Sequence, residues 1–138
     1  VPEEARIIKM ARDVNDGKPQ WVIKKVKEAL SDKQNAVVAA LGIAFKNDID
    51  DLRESPSLNI VKKLGQENPE LDIRVVEPNV NELPDSLSGI SNLKKQELDA
   101  ALEDADVVLL LVNHKEFVEM DLAKIEGKIV IDTKGIWR

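Results

Sequence analysis

The sequence predicts an α/β fold, a parallel sheet covered by helices on both faces. Three observations predict it. Residues 36–42 and 107–112 are continuous apolar runs, as expected of strands buried on both faces. Segments with apolar residues at helical spacing lie between the runs. Gly, Pro, Asn and Asp clusters punctuate the transitions.

The elements follow in order. Ile7, Met10, Ala11 and Val14 fall at i, i+3, i+4 and i+7, which predicts a helix over residues 2–14. Pro2, Glu3 and Glu4 suit its N-terminus. Asn15-Asp16-Gly17-Lys18-Pro19 stops it. A second helix carries Val22, Val26, Ala29 and Leu30 on one face, and residues 31–35 turn. The apolar run 36–42 is the first strand of the sheet. Ser55 is an N-cap residue and Pro56 fits the first helical position, where a missing N–H costs nothing. Leu58, Val61 and Leu64 form that helix's inner face, and Gly65 is expected to end it. Residues 71–76 read as a strand stopped by Pro78. Residues 79–92, with Pro84 and Gly89, read as irregular. Leu98, Ala101, Leu102 and Ala105 predict a helix, residues 107–112 the most apolar strand, residues 115–120 a short helix, and residues 128–132 a last strand after the Glu126-Gly127 turn. The alternation implies a Rossmann-like domain over residues 34–138. Residues 1–33 are expected to be a helical lead-in belonging to a preceding region.

Composition narrows the function. The 138 residues suit one domain, and 43% hydrophobic content suffices for a core. A formal net charge of −6 argues against broad affinity for nucleic acid or acidic membrane. Only 3% of residues are aromatic, few platforms for stacking bases. No cysteine is present, which excludes disulfides, thiolate metal sites and cysteine catalysis within this chain. No apolar run reaches the ~18 residues of a membrane span, and no signal peptide is visible. The start at Val1 rather than Met is expected of a fragment.

Ligands in doubly wound sheets bind beyond the carboxyl ends of the strands. Three such ends carry candidate residues: Phe45-Lys46, Glu77, and Asp132-Thr133-Lys134. The first loop has only Gly42 and is not a G-x-G-x-x-G fingerprint, so cationic side chains must hold any phosphate. Lys46 is a point-charge binder and Arg53 a bidentate fork. Either these hold an anion, or they pair with Asp48, Asp50, Asp51 or Glu54; the pattern leaves both open. Those acids lack the glycine and distal glutamate of a calcium loop, so no metal is expected there. Glu77 stands where a dinucleotide fold puts its ribose-binding acid, or is an ordinary strand-end carboxylate. His114, the sole histidine, has no neighbouring Ser or Cys, and a surface or capping role is expected. Trp21 is expected in the core. Arg12, Lys18, Lys24, Lys25 and Lys27 are expected to be solvated.

Gly42-Ile43-Ala44-Phe45-Lys46, Asp50-Asp51-Leu52-Arg53-Glu54-Ser55-Pro56, Glu77-Pro78 and Asp132-Thr133-Lys134-Gly135 together resemble the C-terminal UDP-binding domain of the nucleotide-sugar 6-dehydrogenases. Ala11-Arg12-Asp13-Val14-Asn15-Asp16 is similar to the end of the central, dimer-forming region of those enzymes. The Glu77-Pro78-Asn79 turn and the Trp137-Arg138 ending look most like the UDP-N-acetyl-D-mannosamine branch; relatives acting on UDP-glucose more often carry Asp-Pro.

The resemblance implies an NAD-dependent oxidation of a sugar C6 alcohol to a carboxylate by two hydride transfers. It implies that Phe45, Lys46 and Lys134 bind the UDP-sugar. Arg53 would reach the NAD held mainly by an N-terminal domain. The implied partners are the N-terminal and central domains, with a homodimer for the parent enzyme, serving polysaccharide synthesis. The family's cysteine nucleophile, glycine-rich NAD fold and catalytic Lys/Asn helix are not in this sequence, so the fragment alone is expected to be inactive. UDP-glucose or UDP-N-acetylglucosamine as substrate, or a non-catalytic nucleotide-binding module, are the alternative readings.

Overall fold

A computed structural model describes residues 6–9, 19–30, 36–44, 55–78, 80 and 82–132. In chain order they form β1 (Arg6–Lys9), α1 (Pro19–Ala29), β2 (Val37–Leu41), α2 (Pro56–Glu67), β3 (Asp72–Val76), α3 (Asp85–Ser88), β4 (Leu93–Lys95), α4 (Leu98–Asp104), β5 (Val107–Leu110), α5 (Lys115–Val118), a 3₁₀ turn (Leu122–Ile125) and β6 (Ile129–Asp132). The six strands make one sheet in the order β1-β6-β5-β2-β3-β4, every neighbouring pair parallel. The parallel α/β architecture predicted from the apolar runs is present.

β2 is central because it has no polar side chain to expose. Its partners run from Val37↔Asp72 to Leu41↔Val76 on one side and from Val38↔Val107 to Leu41↔Leu110 on the other. Side chains alternate between two cores, as a period of two demands. Val38, Ala40, Ile73, Val75, Val107 and Leu109 join Val22, Ile23 and Val26 of α1 and Leu58, Ile60, Val61 and Leu64 of α2. Ala39, Leu41, Val76, Val108 and Leu110 face the other way, onto Ala101 and Leu102 of α4, Phe117 of α5 and Ile125. Each fully buried Leu or Ile contributes about 1.5–3 kcal/mol, so these two layers dominate the stability.

Ser55 caps α2 as expected: its hydroxyl accepts the Leu58 N–H at 3.2 Å, and Pro56 opens the helix. Three expectations differ. Residues Arg6–Lys9 are a strand paired with β6, not part of a helix. Ile7 and Ile8 suit a strand as well as a helical stripe, and the row of peptide groups on β6 decides between them. Among the described residues of the lead-in, β1 is followed by the helix α1, whose apolar face lies in the sheet's core. Gly65 does not end α2, which runs to Glu67 with Asn68 as its C-cap. A Cβ on Gly65 would lie 2.9 Å from Leu93 Cδ2, so this glycine admits β4 against the helix. Finally, β4 has only three residues, too short for a readable period, and it escapes the sequence analysis along with the one-turn α3. Asn92 anchors that segment: its Nδ2 lies 3.0–3.2 Å from the Gly65, Asn68 and Leu71 carbonyls, closing the α2 C-terminus.

On the sheet's other face, Arg74 forks onto Asp72, with Nε to Oδ1 and Nη2 to Oδ2 both at 2.8 Å, and its Nη1 reaches Gln96 and Asp104. The Arg74 hydrogen bonds hold the Asp72 carboxyl below its usual range. A depressed folded value adds stability above the unfolded carboxylate pKa of ~3.9 and loses it as pH falls through the folded one. In chemical denaturation Asp72→Asn should therefore cost up to ~1 kcal/mol at pH 7, the pair being partly exposed, and the gap from wild type should close below about pH 4. A gap independent of pH would rule the ion pair out as its source.

Gly42 has φ +96°, and a Cβ there would sit 2.6 Å from Val112 Cβ. Gly42→Ala combines left-handed strain with an overpacked contact and should cost about 2–4 kcal/mol in urea unfolding. A loss below ~0.5 kcal/mol would show that this strand end can relax.

Candidate functional site

The chain leaves β2 toward β3 and β4 on one side of the sheet, then crosses to β5 and β6 on the other. That reversal makes the gap between the carboxyl ends of β2 and β5 the switch point, the crevice position at which doubly wound sheets bind ligands. Gly42-Ile43-Ala44 leaves β2 there, residues 111–114 leave β5, and Glu77-Pro78 leaves β3.

The three strand ends are tied together. Leu41 O accepts the N–H groups of Leu111 and Val112 at 3.0 and 3.2 Å, and Gly42 N–H donates to Val76 O at 2.8 Å. The positive φ of Gly42 then turns the chain across Val112. Beyond it the N–H groups of Ile43 and Ala44 both donate to Glu77 Oε1, at 2.9 and 3.1 Å. His114 Nε2 lies 3.0 Å from Oε1 and 2.9 Å from Oε2 of the same carboxyl. Oε1 accepts both backbone N–H groups, and with the carboxyl ionised Nε2 would be the donor to it. Glu77 is 1% and His114 0% exposed. The His114 ring packs on Phe117 at 5.6 Å, and the His114 carbonyl accepts the Phe117 and Val118 N–H groups of α5.

α2 starts at the same edge. Ser57 Oγ donates to Leu111 O at 3.3 Å, fixing the helix start against the end of β5. A small cleft of about 140 Å³ opens beyond β3 and β4, lined by Pro78, Gln96, Leu98 and Phe117 among others. Asp132 ends β6 at this edge and is buried.

The expected ligand-binding residues Phe45, Lys46, Arg53 and Lys134 lie outside the described residues, as do Asp48, Asp50, Asp51 and Glu54. The structure describes the frame on either side of them: Ala44 before the loop, Ser55 after it, and Asp132 before Lys134. The Trp21 side chain, Arg12, Lys18 and Trp137 also fall outside it. Two residues change role. His114 is not at the surface and makes no side-chain cap; it is buried against Glu77. Glu77 is not a strand-end carboxylate turned to solvent or to a ribose, because both oxygens meet protein N–H groups. Thirty-seven residues separate this pair, and only the parallel order of strand ends brings it together. Among the described residues no group of three or more His, Asp or Glu could hold a metal, and no helix is long and apolar enough to cross a membrane.

Known proteins share this architecture. The UDP-glucose/GDP-mannose dehydrogenase family, UDP binding domain, matches residues 39–138. The chain is 52% identical over 124 residues to a UDP-N-acetyl-D-mannosamine dehydrogenase of Campylobacter jejuni, covering 90% of this chain and 30% of that protein. It is 43% identical over 136 residues to an NDP-N-acetyl-D-galactosaminuronic acid dehydrogenase of Ralstonia nicotianae, covering 99% and 31%. The native structure of a UDP-N-acetyl-mannosamine dehydrogenase from Staphylococcus aureus superposes with a TM-score of 0.69 at 26% identity, over 92% of this chain and 29% of that one. The chain thus spans about a third of the length of the curated relatives it matches. With the parallel sheet, its switch-point crevice and this match over residues 39–138, the chain belongs to the UDP-glucose/GDP-mannose dehydrogenase family, as its UDP-binding domain.

Proposed function

We propose that this chain is the UDP-sugar-binding C-terminal domain of an NAD-dependent UDP-N-acetyl-D-mannosamine 6-dehydrogenase. The observation that carries the reading is the 52% identity to a relative of that name across nine-tenths of the chain. The chain's contribution is to hold the nucleotide. Phe45 and Lys46 leave the β2 end at the switch point, and Lys134 leaves the β6 end two residues after Asp132. Cations that follow strand ends on one edge of the sheet suit a pyrophosphate, against the protein's net charge of −6. Holding the sugar nucleotide in one orientation presents its C6 alcohol to the chemistry of the other domains.

Two NAD molecules, bound in turn, would each take up one hydride as that alcohol is oxidised, with water supplying the second carboxylate oxygen. The crevice described in this chain does not suit the dinucleotide itself. It has no glycine-rich fingerprint, and Glu77, the acid at the ribose-binding position, is engaged by Ile43, Ala44 and His114. This supports NAD residing mainly in an N-terminal domain, with Arg53 reaching toward it. The nucleophile must also come from elsewhere, since this chain has no cysteine. Residues 1–33 would continue a central region through which the parent forms a homodimer in the cytoplasm, supplying uronates for polysaccharide synthesis. A different N-acetylated sugar is the second reading, favoured by the 43% identical relative named for N-acetyl-D-galactosaminuronic acid.

Calorimetric titration of the whole dehydrogenase with UDP should show saturable binding. Lys46→Ala should weaken it by about 1.5–3 kcal/mol, the worth of a charge-assisted contact, or roughly 10- to 100-fold. Absence of UDP binding by the wild type would refute the nucleotide role. An unchanged affinity in the variant would remove Lys46 from the site. Turnover of the gluco-, N-acetylmanno- and N-acetylgalacto-configured UDP-sugars would then decide the sugar.

A further inference from the structure

We propose that the buried Glu77–His114 pair is a positioning bracket for the nucleotide-binding loop, resting on the UDP-binding role proposed above. β2 ends at Leu41, and the ladder that holds it ends with it. The next N–H groups, of Ile43 and Ala44, are received together by one oxygen of Glu77. Phe45 and Lys46 follow at once. Consecutive Cα atoms are about 3.8 Å apart, so holding the Ala44 peptide bounds the point from which the loop continues.

His114 holds the carboxyl from the β5 side. It contacts both oxygens, and is itself held by the Phe117 ring and the first turn of α5. The bracket therefore spans the crevice, from β3 through β2 to β5. Stability asks for an acceptor at these two N–H groups, but not for a histidine clamped onto it. Hydrogen-bonded ladders already pair β2 with β3 and β5, and a buried polar pair is often no more stabilising than an apolar one of equal size. What the pair adds is a fixed orientation of the Ile43 and Ala44 peptides, from which the loop departs. Neither residue need touch the nucleotide; both act through the loop backbone.

The test uses the whole protein carrying this chain, with Glu77→Gln, Glu77→Ala, His114→Ala and His114→Gln. Site-resolved hydrogen exchange reads the bracket without any ligand. In His114→Ala and Glu77→Ala, the Ile43 and Ala44 amides should exchange about tenfold faster or more, while those of Ala39 and Ala40 keep their rates. Glu77→Gln retains an acceptor and His114→Gln a donor, so each should recover much of that protection. UDP affinity should follow the two amides, falling about tenfold in the alanine variants with recovery in the glutamine ones. Unchanged exchange at Ile43 and Ala44 in His114→Ala would overturn the bracket. So would loosened amides with unchanged UDP affinity, or equal acceleration throughout β2, which would mark a purely structural pair. A wild type that shows protected amides but binds no UDP would refute the nucleotide role, while the amide data would still report whether the pair directs the loop.

Discussion

One carboxylate oxygen decides where the chain goes when its central strand stops. β2 ends at Leu41, Gly42 turns across Val112, and the next two N–H groups would enter the protein interior without a ladder to receive them. Leaving such donors unpaired costs about 1–3 kcal/mol each, so an acceptor has to arrive from elsewhere. Glu77 Oε1 is that acceptor, and His114 holds it in place. The rest of the edge is built around this junction: Leu41 O ties in residues 111 and 112, Ser57 ties the start of α2 to Leu111, and Phe117 fixes the His114 ring.

The arrangement separates two tasks that share one sheet edge in many nucleotide-binding domains. A dinucleotide fold brings glycine backbone close to the pyrophosphate and presents an acid to the ribose. Here the loop has a single glycine, and it serves the strand crossing. The acid at the end of β3 has become a brace for backbone. In the proposed function the ligand accordingly falls to side-chain cations and the redox cofactor to another domain. Apolar burial on both sheet faces makes the platform rigid, and the polar interactions at its edge aim the loops.

Much of this was legible in the residues, and the failures are specific. Uninterrupted apolar runs at 36–42 and 107–112 announced buried parallel strands, and Ser55-Pro56 announced a helix start, because these patterns depend on local sterics and on one fully covered face pair. Ile7-Ile8 carried two periods at once, and pairing with β6 selected the strand. Gly65 resembled a helix stop, yet its missing side chain serves contact with Leu93 from a strand too short to see. At the site, the motif that named Phe45, Lys46, Arg53 and Lys134 was visible in sequence, while the support beneath it was not. His114 looked like an isolated histidine because its partner is thirty-seven residues away.

The sequence by itself determined the layered α/β class and the helix start at Ser55-Pro56, since periodicity and capping residues are local properties. Only the tertiary structure decided that Arg6–Lys9 extends the sheet, that Gly42 must lack a side chain because of Val112, and that Glu77 and His114 face each other rather than solvent. Those outcomes depend on which strand ends become neighbours. That is set by strand order and register, through contacts between residues that are distant in the chain.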